Sequence, residues 1–369
     1  MMRLFSFIFL AVFSIRFSFG DEVRYLARSP KALLLGDAFT AIADDEYTLF
    51  YNPAALGFNK GIGITLTNVD VSGPNLLKPV YAKKLTAKLT ADPSSLATQY
   101  MGIPINTHLG ITPTAKMRNW AISFFLNHTT NFNLRNATHP VWGIDLIYDR
   151  GMIFGGAFDF NLFGMKNAVG MSIKALNRRG FKGNFYLLGP TLAVKVLAGG
   201  KDLDSIRQSL GDSSSKTAYG FDIGWMAKKD YGKSKLSLGA SIMDVFDTQF
   251  TRYEGGRDLP DQEMIVNTGV AWTYSSSFID YRLSLDVHPV NETLAFMRRM
   301  HIGFNIGVPL IDIMFGWNAG YLSYGASINA LIGKFTVGLY GIETGTSFGQ
   351  LEASRFIAYW SLIDFKFGN

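Results

Sequence analysis

The chain has 369 residues, of which 48% are hydrophobic and 17% charged, with a formal net charge of +6 and no cysteine. The missing cysteine excludes a disulfide framework and thiolate metal sites, and so mild a charge balance offers no concentrated basic face for nucleic acid. After the first twenty residues no stretch approaches the ~18 apolar residues that a membrane helix needs, so the apolar content must be spread by alternation.

Residues 1–20, MMRLFSFIFLAVFSIRFSFG, set Arg3 ahead of an apolar run that closes on the small residues Ser18 and Gly20. This predicts a secretion signal, with the mature chain starting near Asp21. Its removal takes away Arg3 and Arg16 and lowers the net charge from +6 to +4. A cell envelope allows disulfides without requiring them, so the cysteine count agrees.

Residues 35–57 read LGDAFTAIADDEYTLFYNPAALG. Asn52 suits an N-cap, Pro53 the first helical position and Gly57 the residue after a helix, so about one helical turn is predicted, pinned at both ends. On local signals alone this is a capped linker before the first strand.

From residue 61 the pattern has period two. Ile279, Tyr281, Leu283, Leu285 and Val287 share one face, and Asp280, Arg282, Ser284, Asp286 and His288 the other. Tyr219, Phe221, Ile223 and Trp225 oppose Gly220, Asp222, Gly224 and Met226, and Trp142, Ile144, Leu146 and Tyr148 oppose Gly143, Asp145, Ile147 and Asp149. Similar segments occupy 61–69, 120–127, 152–160, 167–176, 186–196, 235–245, 264–273, 299–308, 311–318, 322–332, 334–342 and 355–366. Each is close to the ~9–11 residues that cross a bilayer as a tilted strand. A soluble sandwich also alternates. The number and regularity of the strands, the aromatics at their ends, and the 30 Phe, 16 Tyr and 38 Gly favour an all-β, antiparallel transmembrane barrel.

Counting from Trp120 gives fourteen strands, which leaves 61–69 over. Either that segment is a barrel strand with a partner near 100–111, giving sixteen, or one later strand is not separate. Long connections near 128–140, 197–216, 247–262, 289–299 and 343–354 alternate with short ones such as Asp149-Arg150-Gly151, and 177–184 is intermediate. Long loops on one side and short turns on the other is the outer-membrane pattern. Leu76 to Thr90, with Lys78, Lys83, Lys84 and Lys88, reads as a short basic amphipathic helix, and Lys201 to Leu210 as another.

The segment 35–57, with its glycine and alanine, then Ala43-Asp44-Asp45, then Tyr51-Asn52-Pro53-Ala54, resembles the N-terminus of the FadL family of outer-membrane transporters for long-chain fatty acids and other hydrophobic compounds. The close resemblance covers about the first sixty residues. Gly316-Trp317-Asn318 with Gly320-Tyr321, and Gly349-Gln350 with Arg355-Phe356, resemble the closing strands of spirochaetal members, and are also similar to a Bacteroidetes relative that acts as a secretion shuttle. The resemblance implies a fourteen-stranded barrel over 61–369 with residues 21–60 as a hatch plugging the lumen. It implies a monomer in the cell outer membrane that moves a fatty acid passively inward and releases it sideways into the bilayer, with no cofactor. The lipid bilayer and hydrophobic small molecules are the implied partners, with lipopolysaccharide or other outer-surface lipids as further candidates. It assigns Phe50, Tyr51, Asn52, Pro53 and Ala54 to the hatch and its ligand. The inward-facing Asp145, Asp222, Asp280, Arg282 and Asp286 are the lumenal polar candidates, expected in a charge network with Arg282 or Lys228.

No histidine pair has metal-ligand spacing, no glycine-rich phosphate loop opens a helix, and no G-x-S-x-G elbow occurs. An enzyme is not expected, and the chain is too short for a siderophore receptor of ~22 strands. The alternatives are a shuttle-like barrel that binds protein substrates and a small general porin.

Overall fold

The computed structural model describes residues 22–59, 61–85, 100–135, 140–186, 207–208, 210–330, 333–345 and 347–367. The expected signal segment 1–20 lies outside the described residues, as do most of 186–196 and of 201–210.

The described chain is dominated by one antiparallel sheet. In chain order its strands are β1 Ile62–Pro74, β2 Ile105–Ile111, β3 Thr114–Met117, β4 Trp120–Arg135, β5 Val141–Leu162, β6 Met165–Tyr186 and β7 Ser213–Ser215. They continue with β8 Ala218–Tyr231, β9 Ser234–Met243, β10 Arg252–Gly255, β11 Ile265–Ser275 and β12 Asp280–Val287. The last are β13 Met300–Val308, β14 Ile311–Asn318, β15 Tyr321–Ala330, β16 Gly333–Glu343 and β17 Glu352–Phe367. β1 pairs with β17 from Ile62↔Phe367 to Pro74↔Arg355, which closes the sheet on itself. β2 and β3 are two halves of one barrel strand, and the short β7 and β10 pair with each other beyond the wall, so the barrel has fourteen strands.

The count agrees with the sequence reading, but by a different assignment. Segment 61–69 is a full barrel strand, and its neighbour is the broken strand β2–β3. The segments 142–149 and 152–160 are not two strands: Asp149-Arg150-Gly151, read as a turn, lies inside β5 and pairs without a break with Asn127 to Phe125. Asp149 tolerates a strand interior because Arg178 of β6 grips it from the neighbouring strand, with Nε and Nη2 donating at 2.7 and 2.8 Å. The expected long connection at 128–140 shrinks likewise, since β4 runs on to Arg135. Segment 177–184 is strand too, bent at Gly180, whose φ is +146.

Short turns and long connections segregate as the sequence suggested, with one exception. Ala319-Gly320 joins β14 to β15 tightly on the long-loop side, and both residues have positive φ. In the first long connection, Pro79–Leu85 is a helix, and Tyr81 anchors it by donating to the Glu352 carbonyl at 2.9 Å.

The wall alternates as a membrane barrel should. Phe124, Phe154, Ile173, Phe221, Leu283 and Phe315 are exposed on the outside, while Ser123, Ser172, Asp222, Ser284 and Asp286 are buried on the inside. With no helix of the described residues long and apolar enough to cross a membrane, the strands carry the apolar belt. The apolar core is not in the wall but inside it. Residues 26–56 pack against Phe125, Ile153, Ala168, Met226, Met314 and Ile357, which face inward.

Candidate functional site

The inner segment starts near the long-loop end of the lumen and descends to the short-turn end. Glu22 meets Arg355 at 2.7 Å beside the top of β1 and β17, and Asn59 donates to the Arg118 carbonyl at 3.0 Å beside the turn between β3 and β4. Between these points the chain makes a five-residue helix, Pro30–Leu34, capped by Ser29, and two 3-10 turns, Thr48–Phe50 and Pro53–Phe58.

The expected turn at Asn52 forms as a 3-10 helix. Asn52 Oδ1 accepts from the Ala54 N–H at 3.0 Å, which is the cap. Its Nδ2 donates to the carbonyls of Thr40 and Trp225, each at 3.1 Å, so the same side chain ties the segment to itself and to β8. Pro53 and Ala54 lie on Gly170 of β6 and Gly224 of β8, which are direct cross-strand partners. A Cβ at Gly170 would stand 2.4 Å from Ala54 N, and one at Gly224 would stand 2.1 Å from Asn52 Oδ1. The two glycines therefore make the flat seat for this turn. Gly36 presses on Gly316 of β14 in the same manner.

Phe50 packs edge-on against Phe125 at 5.6 Å, and Tyr51 against Phe39 at 5.1 Å. Tyr51 Oη donates to Asp37 Oδ1 at 2.9 Å. All five of the sequence-chosen residues 50–54 are buried inside the barrel.

The lumenal polar candidates do not form one cluster. Asp286 accepts from the N–H groups of Phe39 and Thr40 at 2.8 and 2.6 Å, and so holds the inner segment by its backbone. Arg282 pairs with Asp44 at 2.8 Å, and Lys31 joins the same carboxylate at 3.1 Å. Asp145 receives Arg24 at 2.7 Å near the top. Asp222 sits in a separate wall triad with Lys174 and Asp244, both carboxylates 2.7 Å from Nζ. Asp280 is exposed at the short-turn rim. Lys228 forms no direct ion pair with these carboxylates among the described residues, and its ammonium lies over the Phe58 ring at 4.4 Å. Arg282, Asp286 and Asp145 thus share a role of holding the inner segment, because its backbone and charges are what the lumen contains.

The sequence did not single out a second anchor. His288 and His301 stack with ring centroids 3.8 Å apart. His288 Nε2 donates to the Asp37 carbonyl at 3.1 Å and Nδ1 accepts from Tyr25 Oη at 2.9 Å, the pattern of a neutral ring. Burial and the neighbouring His301 push the His288 imidazole down to about 3. Burial raises the Asp37 carboxyl, but Arg28 at 3.6 Å and the hydrogen bond from Tyr51 act against it, and the group is held below its ordinary range. The partner of His288 and His301, the inner segment, is far off in sequence, so the pair's role was not legible there. No cluster of three metal-ligating side chains occurs among the described residues.

Above the inner segment a cavity of about 110 Å³ remains, lined by polar groups such as Arg24, Asp70, His108 and Asp145. The wall has one irregular seam beside it. Between β2 and β3, Thr112 leaves the ladder with β1, and Asn68 substitutes for the missing backbone pairing. Asn68 Nδ2 donates to the Thr112 carbonyl and Oδ1 accepts from its N–H, both at 2.7 Å.

No family model matches the sequence, and no curated protein matches it. Solved structures with similar folds include the toluene transporter TbuX of Ralstonia pickettii, at 11% identity and a TM-score of 0.44, covering 92% of this chain and 99% of that one. A deltaS2 mutant of the TodX monoaromatic hydrocarbon channel is similar at 9% identity and a TM-score of 0.48, over 92% of this chain and 99% of its own. The CymD monoaromatic hydrocarbon channel is similar at 10% identity and a TM-score of 0.44, over 93% and 99%. The barrel itself rests on this chain's own strand pairing.

Proposed function

We propose that this protein is a FadL-type passive transporter of the cell outer membrane, allied to the spirochaetal members of that group, that moves hydrophobic ligands such as long-chain fatty acids. One observation carries the reading. The inside of the barrel is apolar where the inner segment packs, at Phe125, Ile153, Met226, Met314 and Ile357. Movement of the segment away from this wall uncovers a hydrophobic lining, which suits an apolar ligand and disfavours ions. The named functions of TbuX, TodX and CymD as toluene or hydrocarbon transporters and channels agree with this ligand class.

In this reading residues 21–60 are a hatch. Phe39, Tyr47, Leu34, Leu35, Leu49 and Leu56 are fully buried in it. At about 1.5–3 kcal/mol each, the six contribute about 9–18 kcal/mol against a fully extended reference chain. Wholesale expulsion is therefore disfavoured, and gating is a local movement around Phe50 to Ala54. The seam at Asn68 and Thr112 is the proposed site of sideways release, since a side chain bridges it there instead of the backbone ladder. No catalysis, cofactor or metal enters the reading, and a monomer suffices.

The test uses planar bilayers and uptake of labelled oleate. Wild type should take up oleate and conduct ions poorly. Asn52→Ala removes the cap and both carbonyl ties, worth about 2 kcal/mol together, and should raise conductance with the barrel still assembled. A wild type that conducts freely and ignores oleate would establish the porin reading instead, and a stoichiometric protein cargo on the purified barrel would establish the shuttle.

A further inference from the structure

A cavity of about 980 Å³ lies outside the lumen. It crosses the outer face of β2, β4, β5 and β6 near their long-loop ends, where Leu109↔His128, His128↔Tyr148 and Tyr148↔Arg179 run as one cross-strand row. The run of exposed apolar residues is interrupted at this height. On β5 the outward residues are Phe158, Phe154 and Met152, and then Arg150; on β6 they are Val169, Met171 and Ile173, and then Asn177 and Arg179.

The floor is apolar and the roof is cationic. Leu109 and Leu126 are exposed and form the floor with Ile111. Residues 207–208 and 212–215 line it from the connection between β6 and β8. Arg207 lies 5.1 Å above the Tyr148 ring, and that ring stacks on His128 at 4.1 Å. Arg150, Arg178, Arg179 and Arg207 line the cavity with three acids, Asp149, Asp212 and Glu254, and Arg178 and Asp149 are spent on each other at 2.7 Å. Asp212 is shared, at 2.9 Å from Arg179 and 3.3 Å from Arg207, and Arg207 Nε has no hydrogen-bond partner among the described residues. Arg150 forms no ion pair among the described residues. Guanidinium donors are thus left over at the point where apolar wall gives way to polar rim.

We infer that this outer-wall cavity is a binding site for an anionic membrane lipid with a phosphate headgroup, its phosphate held by Arg150, Arg179 and Arg207 and its acyl chains lying on Leu109, Ile111 and Leu126. The chemistry favours a lipid because the floor continues the membrane belt, so an occupant with a charged head and an apolar tail satisfies both halves at once. Three separately mounted guanidiniums suit the several oxygens of a phosphate better than the two of a carboxylate. The site stands independently of what the lumen transports.

The test is native mass spectrometry of the full-length protein, delipidated in maltoside and titrated with dioleoylphosphatidylglycerol, dioleoylphosphatidylcholine or oleate. Wild type should retain phosphatidylglycerol at least tenfold better than phosphatidylcholine. Arg150→Gln with Arg179→Gln should cut phosphatidylglycerol retention by about fivefold for each arginine, with phosphatidylcholine unchanged. Heat-dependent gel migration reports whether the variants fold, and Arg150→Gln alone, which breaks no ion pair, carries the test if the double variant does not. Equal retention of the two phospholipids, or a preference that survives both substitutions, would overturn the site. Displacement of phosphatidylglycerol by equimolar oleate, or by millimolar inorganic phosphate, would overturn the assignment to a membrane lipid.

Discussion

His288 shows how one neutral side chain couples the wall to the inner segment. Its Nε2 donates to Asp37 and its Nδ1 accepts from Tyr25, so both bonds need the uncharged ring. Because its imidazole is pushed down to about 3 from an ordinary value near 6.5, the unfolded chain binds the extra proton first. Stability from this group is present above pH ~6.5 and falls as pH drops from there towards 3. Asp37 acts in the same direction, since its lowered carboxyl gives stability that is lost in acid as it protonates. Lowering the pH from 7 to 4 should therefore loosen the upper inner segment, seen as smaller amide protection factors at Tyr25 to Asp37 once the intrinsic pH dependence of exchange is divided out. His288→Gln should flatten most of that dependence above pH 4, and an unchanged profile would remove His288 from this role. Asn52 is the neutral counterpart lower down, with its cap readable in the sequence and its bond to Trp225 known only from the fold.

At the level of elements, glycines decide where the inner segment can rest. Gly170 and Gly224 are ordinary small residues of a barrel strand by sequence, yet a side chain on either would enter the Asn52-Pro53-Ala54 turn. Gly170→Val should leave the β6–β8 ladder intact, because valine suits a strand, but lift the turn from its seat. Ion conductance should rise severalfold while the barrel keeps its heat-dependent migration. Conductance equal to wild type would show that this contact does not hold the lumen closed. β5 carries the complementary lesson. Asp149-Arg150-Gly151 has turn chemistry and still forms strand, because Arg178 meets Asp149 inside and Arg150 points out to the rim. Local propensity was overridden by partners that lie on a neighbouring strand.

For the whole molecule, the two faces of the wall predict opposite tolerances. Leu283 is 47% exposed on the outside and Ser284 is 1% exposed beneath the inner segment. Leu283→Arg should cost about 2–4 kcal/mol at mid-membrane depth, read as a lowered urea midpoint for the barrel folded in lipid vesicles. Ser284→Ala should shift that midpoint by less than about 1 kcal/mol, since only its weak 3.4 Å contact to Gly303 is lost. Equal costs at the two positions would contradict the inside-out arrangement. A bulky residue at 284 is a different matter, because Leu35 lies within reach of the neighbouring Gly303.

The sequence by itself determined the class of object. Period-two alternation fixes which residues of each strand share a face, and with the strand number and aromatic content that favour a barrel it put Leu283 and Leu285 outside and Ser284 and Asp286 inside. The capped start of the turn followed from Asn52 and Pro53, but Gly57, expected just past its end, lies inside the helix, which closes at Asn59 instead. Tertiary structure decided the rest. It made β1 the closing strand, fused two expected strands into β5, and put Asp286, Arg282 and Asp145 to work on residues 24 to 44 instead of leaving them to a ligand. The physical reason is range. Alternation and capping are set by neighbours in the chain, whereas ring closure, the seat at Gly170 and Gly224, and the charge pairs that tie the inner segment to the wall join residues far apart in sequence, and only a closed barrel brings them within a hydrogen bond.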